Sequence, residues 1–308
     1  MKKTAGIHHI TAIVGHPQEN IDFYAGILGL RLIKQTVNFD DPGTYHLYFG
    51  DDGGKPGTII TFFPWAGAAQ GKIGGGQVGV TTFAIPVGTL SYWENRLTKF
   101  SIQYEKSTRF DETYLQFEDY HGLQLELVEG QPNNWTFGEV TPEVAIKGFG
   151  GAVLYSTDPE ATIETLQETM GLEKVAEEDG LIRLQAYGDI GNIIDVKQSA
   201  VALGTLGVGT VHHIAWRAKD DADHTDWQDH VYNKGYGVTE IKDRNYFNAV
   251  YFREYGDILF EIATDTPGFA HDESYETMGK ELKLPVQYES ARATLTDGLI
   301  PIEVKELD

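Results

Sequence analysis

Residues 6–14, GIHHITAIV, and residues 209–218, GTVHHIAWRA, decide how this chain folds. Both are runs of β-branched and apolar residues, the composition of a buried strand, and both carry a His-His pair at the same place. Each opens a unit that reads as a strand, a helix and three more strands. In the first unit GIHHITAIV leads to PQENIDFYAGILGL (17–30), then to RLIKQTVNF (31–39), TYHLYFG (44–50) and GTIITFFPW (57–65). Ile21, Tyr24, Ala25 and Leu28 recur at spacings of three and four, which marks the buried face of a helix starting just after Pro17 and ending at Gly29.

The same order recurs three more times. VGVTTFAIPV (78–87), TLSYWENRLTKF (89–100), ETYLQFEDY (112–120) and GLQLELVEG (122–130) make the second unit. The third opens with GFGGAVLYS (148–156), and its helix DPEATIETLQETMGL (158–172), N-capped by Asp158, places Gly171-Leu172 on Gly29-Leu30 at an offset of 142. The fourth follows GTVHHIAWRA with DADHTDWQDHVYNKGYG (221–237), NAVYFREYG (248–256) and DILFEIATD (257–265). A βαβββ unit is too small to bury its own sheet, so the units must pair. The expected fold is α+β: four βαβββ modules pairing into two half-open barrels. In chain order, modules one and two fill an N-terminal domain (1–130) and modules three and four a C-terminal domain (146–265), joined by a linker at 131–145. Residues 266–308 lose the periodicity and read as an arm over one of the domains.

Composition narrows the chemistry. A chain of 308 residues with 41% hydrophobic content can bury one large core or two smaller ones. It has no cysteine, so thiolate catalysis, Fe–S clusters and Cys-based zinc sites are excluded, and any metal must sit on His, Asp or Glu. A net charge of -22 repels nucleic-acid phosphates and anionic lipid, which leaves small molecules as partners. No window suits a membrane span, and MKKTAGIHHITAIVG lacks the apolar core of a signal peptide, so the expected location is cytoplasmic.

Superposing the last strands of the modules puts Thr61, Glu126, Asp195 and Glu261 in one column, at spacings of 65, 69 and 66. Superposing the first strands aligns His9, Thr82, Gly151 and His213. Modules one and four together offer imidazoles and one carboxylate; modules two and three offer carboxylates only. One barrel is therefore expected to hold a metal and the other not. Two His and one carboxylate on one face form the facial triad that suits non-haem Fe(II) and leaves positions open for substrate and O2. Zinc binds such a set too but cannot cycle electrons. Strand alternation sends His8 and His9 to opposite faces, and likewise His212 and His213, without deciding which of each pair points inward. His16, His121, His224 and His230 fall in loops or on polar helix faces and read as solvated.

GIHHIT, TYHLYFGDDGGKPGT with FFPW, TVHHIA, DRNYF, LFEIATD and the tail GFAHDES occur in order along essentially the whole chain. Together they resemble the hydroquinone-type ring-cleaving dioxygenases of the vicinal oxygen chelate superfamily. The resemblance implies the vicinal oxygen chelate fold, with metal ligands His9, His213 and Glu261. It places His8 and His212 just behind them, and Arg244 and Tyr251 beside the bound substrate. The cofactor it implies is Fe(II), with Mn(II) as the alternative; the partners are a small aromatic diol and O2, and assembly as a homo-oligomer is left open. Tyr251 would donate a hydrogen bond to a substrate oxygen, a histidine titrating near 6.5 would move the substrate's proton, and Arg244 would stabilise the phenolate. The competing readings are an extradiol catechol dioxygenase, a glyoxalase-like isomerase, which wants an acidic ligand where Thr61 stands, and a metal-free binding protein for aromatic compounds.

Overall fold

The computed structural model describes residues 2–130 and 139–304. Module one supplies strands β1 (Ile7–Val14), β2 (Arg31–Val37), β3 (Tyr45–Gly50) and β4 (Ile59–Pro64). Module two supplies β5 (Gln77–Pro86), β6 (Tyr104–Arg109), β7 (Glu112–Glu118) and β8 (Gln124–Gly130). Module three supplies β9 (Gly148–Tyr155), β10 (Glu173–Glu178), β11 (Leu181–Gln185) and β12 (Ile193–Lys197). Module four supplies β13 (Thr210–Ala218), β14 (Lys242–Asp243), β15 (Phe247–Arg253) and β16 (Leu259–Pro267).

These strands form two curled eight-stranded sheets, ordered β14-β15-β16-β13-β1-β4-β3-β2 and β10-β11-β12-β9-β5-β8-β7-β6, which is the expected α+β arrangement of paired βαβββ modules. Each sheet takes one module from each half of the chain. Antiparallel pairing of β1 with β13 joins modules one and four, and β5 with β9 joins two and three. Within a module the first and last strands run parallel, because the helix crosses over between them.

Alternation along each strand separates two faces. Ile10, Ala12 and Val14 of β1, with Ile60 and Phe62 of β4, join Ile21, Tyr24 and Leu28 of the helix in the main apolar core. His9, Thr11, Thr61 and Phe63 fall on the other face, inside the barrel. The four helical positions marked by the sequence spacing are all buried. Their helix is α-helical only over Pro17–Ile21 and widens to a π-helix over Asp22–Ile27; the equivalent segment repeats this, with Pro159–Glu164 followed by a π-helical Thr165–Thr169. Bonds from Leu28 N to the Phe23 carbonyl and from Met170 N to the Thr165 carbonyl, both spanning five residues, seat Leu28 and Met170 in the core.

Of the expected linker, residues 131–138 lie outside the described residues, while Val140, Ala145 and Ile146 are buried. The arm after residue 265 lies along β2, the edge strand of the first sheet. Buried Lys34 pairs with Asp272 and Glu273 at 2.6 Å each, Gln35 Nε2 donates to the Gly279 carbonyl, and Lys283 N donates to the Gln35 carbonyl. Covering an edge in this way removes a row of unpaired backbone groups. No helix among the described residues is long and apolar enough to cross a membrane.

Candidate metal centre

The two central strands of the first sheet carry the two His-His pairs, and both pairs sit at β-bulges. Register passes from Ile7↔Trp216 to His9↔Ala215, leaving His8 as the extra residue on β1; from Thr11↔His213 to Ala12↔Val211, it leaves His212 as the extra residue on β13. A bulge breaks strict alternation and re-aims a side chain. This corrects the expectation that the two rings of a pair face opposite sides. His8 Nδ1 reaches His9 Nδ1 at 2.9 Å, and His212 Nδ1 reaches His213 Nδ1 at 2.8 Å.

His9, His213 and Glu261 converge. All three are buried, and among the described residues they form the one cluster of His and carboxylate ligand atoms within 4.8 Å of one another. The two Nε2 atoms are 3.3 Å apart, and Glu261 Oε2 lies 2.8 Å from His213 Nε2 and 3.5 Å from His9 Nε2. Glu261 comes from β16, whose pairing puts it beside Ala215 of β13. Burial alone would raise its carboxyl, but His9 and His213 outweigh burial and hold it well below the ordinary range. Neither Glu261 oxygen has a well-directed hydrogen bond. A buried carboxylate without such donors is costly unless a cation meets it.

The hydrogen-bond network fixes which nitrogen of His9 is bare. Burial, then the neighbouring His9, holds His8 well below 6.5, so it is neutral. Its Nε2 lies 3.1 Å from the Thr264 carbonyl, which can only accept, so that nitrogen carries the proton and Nδ1 must accept from His9 Nδ1–H. His9 then turns a lone pair on Nε2 toward Glu261. His212 differs, since its Nε2 has no hydrogen-bond partner among the described residues and its ring lines the cavity. Burial, then His213, takes His212 down to about 3. His213 is also lowered, first by burial. His8, His212 and His213 are therefore not the expected histidine titrating near 6.5, because burial lowers all three.

The triad lines a cavity of about 200 Å³ together with Asn38, Phe39, Asp40, His46, Tyr48, Phe63, Trp65, His212, Arg244, Phe247 and Tyr251. Tyr251 pairs across strands with Glu261, and Arg244 Nε donates to its hydroxyl at 3.2 Å while Nη2 reaches Asp40 at 2.9 Å. Burial, then Glu261, holds the Tyr251 hydroxyl protonated. Of the seven site residues that the resemblance implies, His8 alone stays off the cavity wall and sits behind His9. His224, read as solvated, is instead buried, with Nε2 2.8 Å from the Ile262 carbonyl. His46 and Tyr48 were not singled out, although the period of two in TYHLYFG puts both on the face of Thr61.

The second barrel repeats the frame with different contents. Its bulged residues are Gly79 and Gly150, because register shifts fall between Val78 and Val80 and between Thr82 and Phe83. This corrects the sequence column by two residues: Val80, not Thr82, occupies the place of His9, a slip that preserves the face. The counterparts of His8 and His213 have no room for a side chain. A Cβ on Gly79 would meet the Tyr155 ring at 2.5 Å, and one on Gly151, the counterpart of His213, would meet the Ile193 carbonyl at 2.4 Å. Glu126 and Asp195 are closed by arginines. Arg109 reaches Glu126 at 2.7 Å and Asp195 at 2.9 Å, and Arg183 reaches Asp195 at 2.8 Å.

A family model described as "Glyoxalase/Bleomycin resistance protein/Dioxygenase superfamily" matches residues 6–127 and 148–270. The Bacillus subtilis (strain 168) protein named "Putative ring-cleaving dioxygenase MhqO" is 66% identical over 310 residues, covering 100% of this chain and 99% of that one. A "Chlorohydroquinone/hydroquinone 1,2-dioxygenase" from Sphingobium indicum is 35% identical, covering 96% of this chain and 95% of that one. A crystal structure of a "putative dioxygenase" from Bacillus subtilis superposes with a TM-score of 0.97 at 65% identity and full coverage of both chains. Glyoxalase I from Zea mays shares the fold, with a TM-score of 0.63 at 14% identity over 85% of this chain and 92% of that one. Matched across both halves and nearly end to end, this protein belongs to the glyoxalase/bleomycin resistance protein/dioxygenase superfamily.

Proposed function

We propose that this protein is a non-haem Fe(II) dioxygenase that opens the ring of a hydroquinone-like diol with O2. The observation that carries the reading is the buried His9–His213–Glu261 cluster, facing an aromatic-walled cavity with no hydrogen-bond donor directed at its carboxylate. The name of the Sphingobium indicum relative supports the para-diol class. A redox-active metal held by His9 Nε2, His213 Nε2 and Glu261 would supply open coordination positions together with electron exchange, the second of which zinc could not.

The remaining steps fall to the chain's own residues. Phe39, Phe63, Trp65 and Phe247 bound a slot for a flat ring and exclude water from it. Arg244, always cationic and paired with Asp40, stabilises a phenolate or an acidic product. The Tyr251 hydroxyl, protonated in the resting site, donates to an oxygen on which negative charge develops. With His213 donating from Nδ1, His212 carries its proton on Nε2 and presents it to the cavity. A glyoxalase-like chemistry is disfavoured, because Thr61 holds the fourth column position and its hydroxyl is engaged by Thr11 and His46 at 2.8 Å each.

The test is metal analysis of anaerobically purified protein, followed by oxygen uptake with a panel of diols. One O2 is expected per ring opened, with kcat/KM for hydroquinone at least about tenfold above that for catechol, or roughly 1.4 kcal/mol of differential transition-state binding. Rapid cleavage of catechol with hydroquinone inert would overturn the para-diol assignment. Stoichiometric metal with no O2 uptake on any diol would overturn the dioxygenase.

A further inference from the structure

The quadrant of the barrel that lacks a ligand is not empty of chemistry. Tyr48 and Tyr251 occupy equivalent places, Tyr48 paired across strands with Thr61 and Tyr251 with Glu261. Tyr251 therefore stands on the carboxylate side and is already engaged by Arg244. Tyr48 stands on the opposite side, beside the column position that has no metal ligand. Its hydroxyl lies 2.9 Å from His46 Nδ1, His46 Nε2 lies 2.8 Å from Thr61 Oγ1, and Thr61 Oγ1 lies 2.8 Å from Thr11 Oγ1. Both nitrogens of His46 are thus used within the wall. The chain reaches the cavity at the Tyr48 hydroxyl, which keeps capacity for one more hydrogen bond.

We infer that Tyr48, positioned by His46, is the residue that receives the substrate hydroxyl remote from the metal. The inference rests on the diol reading above and adds the device that selects among diols. A para-diol bound through one oxygen beside the triad carries its second hydroxyl across the ring, toward the wall that lacks a ligand. An ortho-diol keeps both oxygens on the metal side and leaves Tyr48 unused. The geometry is rigid. Tyr48 is buried, its ring packs on His46 at 4.1 Å and on Phe269 of the arm at 5.1 Å, and Tyr246 meets it edge-on. Burial raises the Tyr48 hydroxyl well above its ordinary value and lowers His46 well below 6.5, so both groups are neutral and the contact is a plain hydrogen bond.

The experiment is an anaerobic titration of Fe(II)-loaded protein with hydroquinone and, in parallel, with phenol, which lacks the second hydroxyl. Tyr48→Phe keeps the ring packing and removes only the hydroxyl. It should weaken hydroquinone binding about tenfold and leave phenol binding within about twofold, the loss expected for one buried hydrogen bond. His46→Leu should reproduce that selective loss, whereas His46→Asn, which restores a polar atom near the Nδ1 position, should recover most of it. Metal content and melting temperature of each variant separate a selective loss from a damaged fold. Equal losses for both ligands, or none for hydroquinone, would overturn the role of Tyr48 while leaving the dioxygenase reading intact. Wild-type protein that loads iron but binds no hydroquinone would overturn both this role and the para-diol assignment.

Discussion

His8→Ala separates two roles open to a buried histidine beside a metal centre, orienting a ligand and taking part in the reaction. Its ring is tied at both ends, donating from Nε2 to the Thr264 carbonyl at 3.1 Å and accepting at Nδ1 from His9 at 2.9 Å. Without it, His9 Nδ1–H loses its acceptor, and the tautomer with the proton on Nε2, facing Glu261, is no longer disfavoured. Orienting partners of this kind are worth about 10- to 100-fold in metal affinity, or roughly 1.4–2.7 kcal/mol. Leaving two buried polar groups unpaired costs the fold about 1–3 kcal/mol for each, so the variant must be assayed well below its melting transition. Competition between the protein and a chromophoric chelator for Fe(II), under nitrogen, gives the dissociation constant directly. At His212 the same measurement should show a smaller loss, because no carbonyl anchors its Nε2. Iron should stay near stoichiometric there while turnover falls roughly 10- to 1000-fold. Wild-type iron affinity in His8→Ala, together with loss of iron in His212→Ala, would refute the orienting argument built on the Thr264 carbonyl.

His9→Ala, His213→Ala and Glu261→Ala should each lose most bound metal with the fold intact, measured by elemental analysis and circular dichroism. Glu126→Ala and Asp195→Ala should keep the metal but lower stability by about 3–5 kcal/mol in urea titrations, since each leaves a buried guanidinium short of a partner. Tyr251→Phe should retain iron and lower kcat by roughly 10- to 1000-fold. Metal-free protein should lose stability as pH falls: His8 and His213 are held neutral in the fold by burial, whereas the unfolded chain takes up their protons near 6.5. The unfolding free energy should therefore be flat above about pH 7.5 and drop below pH 6.5 by about 1.4 kcal/mol per pH unit for each such histidine, the melting temperature falling with it; a rise on acidification would show that these rings are charged in the fold.

Much of this was legible because the repeat is carried by patterns that tolerate error. The offset of 142 between the helices at 17–30 and 158–172 survives even in the π-helical turn that each contains. A two-residue slip at Thr82 left the face unchanged, so the assignment of metal ligands to one barrel was unaffected. What could not be read depends on geometry that no local signal encodes. A β-bulge at His8 and His212 has no composition of its own, and it alone lets both rings of a pair lie on one side of the sheet. Arg109 reaches Asp195, and Arg183 reaches Glu112, only because modules two and three are brought together by β5 and β9. His46 and Tyr48 carried a usable signal, a face shared with Thr61, but it emerges only when third strands are compared as well as first and last ones.

Under the proposed metal site, the two barrels differ by charge as much as by ligand type. In the second barrel two carboxylates meet two guanidiniums, and Gln116 Nε2 adds a donor to Glu126 at 2.6 Å, so every acceptor is met from within. In the first, Glu261 faces only imidazoles, of which His9 has its proton drawn to the far nitrogen by His8, and the nearby cation of Arg244 is committed to Asp40 and Tyr251. The positions that hold Gln116 and Arg183 in one barrel hold Tyr48 and Tyr251 in the other, all four paired across strands with the column residues. Replacing charged and amide side chains by phenols leaves one buried negative charge without an internal counterion. A divalent cation held by His9, His213 and Glu261, as proposed, would supply that counterion and leave the two phenols to meet the oxygens of a ligand.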